Sequence, residues 1–352
     1  MPSSGVQFGL DTFGDVTRAG DDSLTPQAQV IREVVEEAVL ADALGIEFFG
    51  VGEHHRSDFA ISSPEMVLAA AASRTEHIRL GSAVTVLSSD EPVRVFQRFS
   101  TLDAVSKGRA EVILGRGSFT ESFPLFGLPL ENYEELFEDK LDLFAALISE
   151  LEVTWQGRLR APLTKATVYP RPEAPLTTWV GVGGSPQSIV RAAQYGLPVM
   201  LAIIGGDPIR FQPYAELFRG ALLELGKEPQ PIGVHSPGHV AATDAEALDR
   251  FWPHYREMHD RIGAQRGWAP ITRDAFEREV DAGSLYLGSA DTVARKIART
   301  VQLLKPQRFQ LKYSAGTLPH AAMMDTIERY GRDVIPRVRE LLAAPSSFDE
   351  AA

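Results

Sequence analysis

The chain has 352 residues, 44% of them apolar and 23% charged, which suits either one barrel-sized globular domain or two ordinary ones. Thirty-five basic against 47 acidic residues give a net charge of -12, with the acids spread through helical stretches, so nucleic acid is not an expected partner. With no cysteine, disulfides and thiolate chemistry are excluded, and without a leader-like opening or a membrane-length apolar run the expected location is cytoplasmic, away from membranes.

The first predicted strand is VQFGLDTF at 6–13, followed by a helix over 27–45 whose stripe of Ile31, Val34, Val35, Ala38 and Ala41 ends at Gly45. The unit then repeats. IEFFGVGE is strand two, and the alanine-rich helix after it opens at Ser63 and Pro64; IRLGSAVTVLS is strand three, and the next helix stops at Gly108. RAEVILGRGS is strand four, and the amphipathic helix over 131–150 presents Leu136, Leu141, Phe144 and Ile148 on one side. A polar excursion with four prolines, TWQGRLRAPLTKATVYPRPEAP, interrupts the rhythm as an insertion before LTTWVGVGG restores it as strand five. LPVMLAII is strand six, PIGVHSPGHVA strand seven, and RFQLKYSA strand eight, with a long charged excursion over about 250–285 after strand seven.

Strands apolar on both faces and separated by helices imply a parallel sheet covered by helices. Eight such units in a chain of this size predict an α/β fold of the (β/α)8 TIM-barrel type, with insertions after strands 4 and 7. The expected organisation is one domain over residues 1–340 and a disordered tail over 341–352. An open dinucleotide-binding sheet is disfavoured because no GxGxxG follows the first strand.

In a barrel the chemistry sits where strands end, which directs attention to Asp11, Glu53, His54, His55, Arg116, Ser185 and His235. In GVGEHH the two adjacent histidines cannot point the same way from an extended chain. Proton transfer by His54 or His55, with Glu53 orienting the ring, competes with loop capping; a metal site is not predicted, for want of HExxH or further ligands. VGVGGSPQS combines glycines after a strand with a helix N-terminus at Ser185, which suits an oxyanion such as a cofactor phosphate and equally a capped tight turn. LGRGS places Arg116 between glycines, either to fork onto a phosphate or as a surface charge. The small residues of GSAVTVL would let a flat ring pack against the backbone, or simply pack a crowded barrel.

Taken together, EHH after strand two, IRLGSAVTVL, SKGRAEVILGRG and GVGGSPQSIVRAAQYGLP resemble the bacterial luciferase-like flavin monooxygenases, and LGSADTVARKI and IERYGRDVIP extend the likeness over about residues 5–338. The resemblance implies reduced FMN supplied by a separate reductase, dioxygen, and oxidation of a small or medium organic substrate through a C4a-hydroperoxyflavin. By the same resemblance His54 is catalytic, Arg116 with Gly183, Gly184 and Ser185 holds the flavin phosphate, and a non-prolyl cis peptide at Ala83 and Val84 or an adjacent bond lies under the flavin ring. It further implies a homodimer and a mobile lid within 250–285. Gly115 stands where the luciferase has a reactive cysteine, which argues against light emission and a long-chain aldehyde. Two alternatives share the pattern: an F420-dependent oxidoreductase transferring hydride, and a flavin-binding protein without turnover.

Overall fold

The computed structural model describes residues 5–344. Eight parallel strands close on themselves: β1 (Gln7–Thr12), β2 (Phe48–Val51), β3 (Arg79–Ser82), β4 (Ala110–Gly115), β5 (Thr177–Val182), β6 (Val199–Ala202), β7 (Ile232–Val240) and β8 (Arg308–Lys312). Closure follows from β7, which pairs with β6 on one side and β8 on the other, while β8 pairs with β1. The alternating sequence therefore forms the TIM barrel it predicts.

Side chains alternate between the lumen and the helical coat, and β8 shows the rule: Phe309 and Leu311 join the outer core while Arg308 turns inward to Glu111. The floor of the barrel is ionic. Arg308 meets both carboxylate oxygens of Glu111 at 2.7 and 3.0 Å, Arg79 joins the same carboxylate, and Trp179 Nε1 donates to it at 2.9 Å. Burial alone would raise the Glu111 carboxyl, but the two guanidiniums outweigh it and hold it below its ordinary value. Above this floor Phe48, Ile113, Trp179 and Met200 form an apolar layer, capped by Val84. Everything higher is the mouth.

The polar excursion before β5 contains an antiparallel hairpin, Val153–Trp155 with Leu163–Ala166, outside the barrel sheet. The excursion after β7 is a 23-residue helix, Asp244–Arg266, capped by Thr243, then a shorter one, Arg273–Asp281. Its Arg266 donates to the Ser118 carbonyl at 2.8 Å and lies 4.8 Å above the Phe119 ring, and Arg56 donates to Gln265 at 2.6 Å. The excursion is thus strapped to the loops after β2 and β4. At the far end, helix Ile335–Ala343 runs through residues expected to begin the tail, because Ile335 and Val338 bury against the barrel coat. The remainder of that expected tail, 345–352, lies outside the described residues.

Candidate active site

On its β2–β5 side the mouth is lined by glycines packed against Ala83 and Val84. A Cβ on Gly115 would stand 2.5 Å from Val84 Cγ2, one on Gly181 would stand 3.2 Å from Val84 Cγ1, and one on Gly52 would stand 2.7 Å from the Ala83 carbonyl oxygen. Val84 therefore fills a space that two glycines leave free. The Ala83–Val84 peptide is cis, between β3 and the short strand Thr85–Val86.

Around this cradle the strand ends follow in order. Arg116 leaves β4 directly after Gly115; its guanidinium pairs with Glu134 and lies 5.7 Å from the centre of the Tyr133 ring. Gly183, Gly184 and Ser185 leave β5, which is paired with β4 at Leu114 and Val180. Gly184 has φ +107, a left-handed backbone suited to glycine, while a Cβ on Gly183 would meet nothing within 4 Å. Ser185 caps helix Pro186–Tyr195 by accepting from Ser188 N at 3.4 Å and donates to Gln187 at 2.9 Å, with Pro186 in the first turn. The capped-turn geometry is present, and the turn is open to solvent at Gly183.

The two histidines of EHH diverge as adjacent residues must. His54 enters an aromatic box, 5.0 Å from Phe13, 4.3 Å from Phe59 and 4.7 Å from Phe119 between ring centres. Burial pulls its pKa down to about 3, so the imidazole is neutral, and its Nε2 is enclosed without a partner among the described residues. His55 turns away onto Phe126. Glu53 does not orient His54. Its Oε1 accepts from Val86 N at 2.9 Å, and burial raises its pKa to about 8 against the opposing pull of that bond, which makes it a neutral acid bracing the strand-three turn.

Sequence reasoning noted Asp11 and His235 only as polar strand-end residues; the fold brings them together across 224 positions, with His235 Nδ1 2.8 Å from Asp11 Oδ2. His235 also stacks on Phe13, the ring that meets His54 on its edge. Beside them Lys312, 4.7 Å from the Phe13 centroid, reaches Asp15 at 3.2 Å, and Ser314 bonds to both Asp15 and Thr12. No pattern of spacing marks these contacts, because they join the first strand to the last two. Among the described residues there is no cluster of three or more His, Asp or Glu side chains arranged for a metal, and no helix long and apolar enough to cross a membrane.

A profile of the luciferase-like monooxygenases matches residues 12–305. The 4-hydroxyprotoasukamycin monooxygenase of Streptomyces nodosus subsp. asukaensis is 27% identical over 280 residues, 73% of either chain. Among solved structures, monooxygenase RslO1 from Streptomyces bottropensis superposes with a TM-score of 0.82 at 24% identity, over 94% of this chain and 99% of that one. An F420-dependent secondary alcohol dehydrogenase in complex with an F420-acetone adduct superposes at 0.74 with 19% identity, over 95% and 99% of the two chains. At those identities the two structures speak for the fold alone.

Proposed function

Because the chain belongs to the luciferase-like monooxygenase family, we propose that it is a flavin-dependent monooxygenase taking reduced FMN from a separate reductase, together with dioxygen, to oxidise a small or medium organic substrate in the barrel mouth. The observation that carries this reading is the cradle in which Val84 packs against Gly115 and Gly181, two positions on the ends of β4 and β5 that have no side chain to obstruct a flat ring. When bound, the reduced flavin supplies the electrons that activate dioxygen.

The chain's own residues bind, orient and shield. Arg116, already aimed along the rim by Glu134 and Tyr133, exchanges that carboxylate for the cofactor phosphate. Gly183, Gly184 and Ser185 receive the same phosphate at the start of helix Pro186–Tyr195, where free N–H groups and the helix dipole favour an anion. Ala83 and Val84 would support the ring. His54, neutral and enclosed, holds or moves a proton at Nε2, and Phe13, Phe59 and Phe119 keep water from it. Arg266 and Arg56, 4.8 and 4.7 Å from the centre of the Phe119 ring, anchor the post-β7 excursion to this box.

Anaerobic equilibrium titration with reduced FMN, beside reduced F420, tests the reading. The expected result is tight binding of reduced FMN that weakens in Arg116→Ala; preference for F420 would reassign the barrel to hydride transfer.

A further inference from the structure

The wall of the mouth opposite the cradle, formed by β7, β8 and β1, is polar where the cradle wall is bare. Asp11 is completely buried, and among the described residues only its Oδ2 has a partner, His235, whose side chain keeps 10% of its surface exposed. Gln310 lies in register with His235 on the adjacent strand, is 1% exposed, and has both amide atoms enclosed without a partner among the described residues. Three buried polar atoms without a partner among the described residues mark this wall as the polar side of the mouth, suited to a guest with a polar group and not to a hydrocarbon.

The Asp11 contact also sets the sense of hydrogen bonding on this wall. A carboxylate only accepts, so Asp11 calls for a proton on Nδ1 of His235, and in the neutral imidazole Nε2 is then the lone-pair acceptor. An acceptor calls for a donor. Phe13 lies nearly parallel to the His235 ring, 6.2 Å away and 19° off plane, so a flat apolar body is well matched beside that acceptor.

We propose that His235, held by Asp11 and flanked by Gln310, is the substrate-recognition element of this site and takes the hydroxyl group of a phenol-like aromatic alcohol at Nε2. The inference rests on the proposed oxidation of an organic substrate in the same mouth and narrows its class. Asp11 is a positioning residue here: it acts through the tautomer of His235.

The test uses the full chain with ¹⁵N-labelled histidine, titrated with 4-methylphenol and with 4-methylanisole, which has the same ring but no O–H. The phenol should shift the His235 Nε2 resonance and bind at least about tenfold more tightly than the ether, the loss expected when one buried hydrogen bond goes unmade. His235→Phe should abolish that preference. Asp11→Asn, whose amide donates to Nδ1, should move the proton to Nε2, visible in the same spectrum, and erode or reverse the preference. Equal affinity for the two probes, no shift with either, or a preference surviving in both variants would overturn the proposal. Reduced-FMN affinity measured on the same samples separates the two readings. Lost flavin binding with the hydroxyl preference intact fails only the cofactor assignment, whereas intact flavin binding with equal probe affinities fails only this one.

Discussion

A methyl group added at Gly115 tests the cradle more sharply than any charged substitution. The new Cβ would lie 2.5 Å from Val84 Cγ2 and 3.1 Å from Val84 Cβ. Carbon atoms rest about 3.5–4.0 Å apart, so an overlap of roughly 1 Å has to be relieved. Val84 cannot retreat downward, because it sits on the layer of Phe48, Ile113, Trp179 and Met200. It can yield only into the mouth. Overpacking of this kind costs about 1–3 kcal/mol, so Gly115→Ala should lower the unfolding free energy in urea by about that much. Raising Val84 toward the ring should also weaken reduced FMN by about tenfold or more, since 1.4 kcal/mol is one decade. Gly183→Ala is the matched control, with no atom within 4 Å of the added Cβ. Its stability should stay within about 0.5 kcal/mol of the parent chain, as for ordinary surface changes, while the methyl at the phosphate approach still weakens the cofactor. A Gly115→Ala chain unchanged in both stability and affinity, or a Gly183→Ala chain with undiminished affinity, would refute the reasoning.

Arg116→Ala should weaken reduced FMN by about 10- to 100-fold through loss of a charge-assisted bond, whereas Glu134→Gln, which frees the same guanidinium, should strengthen it; fluorescence titration distinguishes the two. His54 has a folded-state pKa of about 3, below its unfolded value near 6.5, so the unfolded chain binds the extra proton and stability falls as pH drops below 6.5. His54→Phe should therefore flatten the acid limb by about 2 kcal/mol at pH 5 in urea denaturation, and an unaltered limb would contradict the burial. Glu53 has the opposite sign: its pKa is raised to about 8, so its favourable neutral form is fully present below about 4.5 and stability is lost as pH rises toward 8. Glu53→Gln keeps an acceptor for Val86 N–H and should gain stability at pH 8 but not at pH 4, by on the order of 2 kcal/mol. Proteolysis within 255–280 should slow on adding flavin and speed up in Arg266→Ala, which loses the Ser118 and Phe119 contacts; cleavage indifferent to both would show that the excursion does not close the site.

The barrel was legible because its information is local. Apolar runs of strand length, alternating with helical stripes, specify eight units, and the closure of β8 on β1 follows from their number. The strand-end positions of His54, Arg116 and Ser185 were legible for the same reason. Partnerships were not. Glu53 stands beside His54 in the chain yet points to Val86, since successive residues of an extended segment face opposite ways. Arg116 meets Glu134 one helix later, and Asp11 meets His235 only because the chain closes into a ring. Helix Ile335–Ala343 runs three residues past the expected domain end at 340, and Ile335 and Val338, packed against the coat, hold it there.

The central claim is met most directly by following reduced FMN at its own absorbance when oxygen is admitted to an anaerobic mixture with the chain. The account predicts a protein-bound species, distinct from both reduced and oxidised FMN and longer-lived than in free solution, that shortens in His54→Ala without loss of flavin affinity. Reoxidation at the rate of free FMN, with no such species, would contradict it.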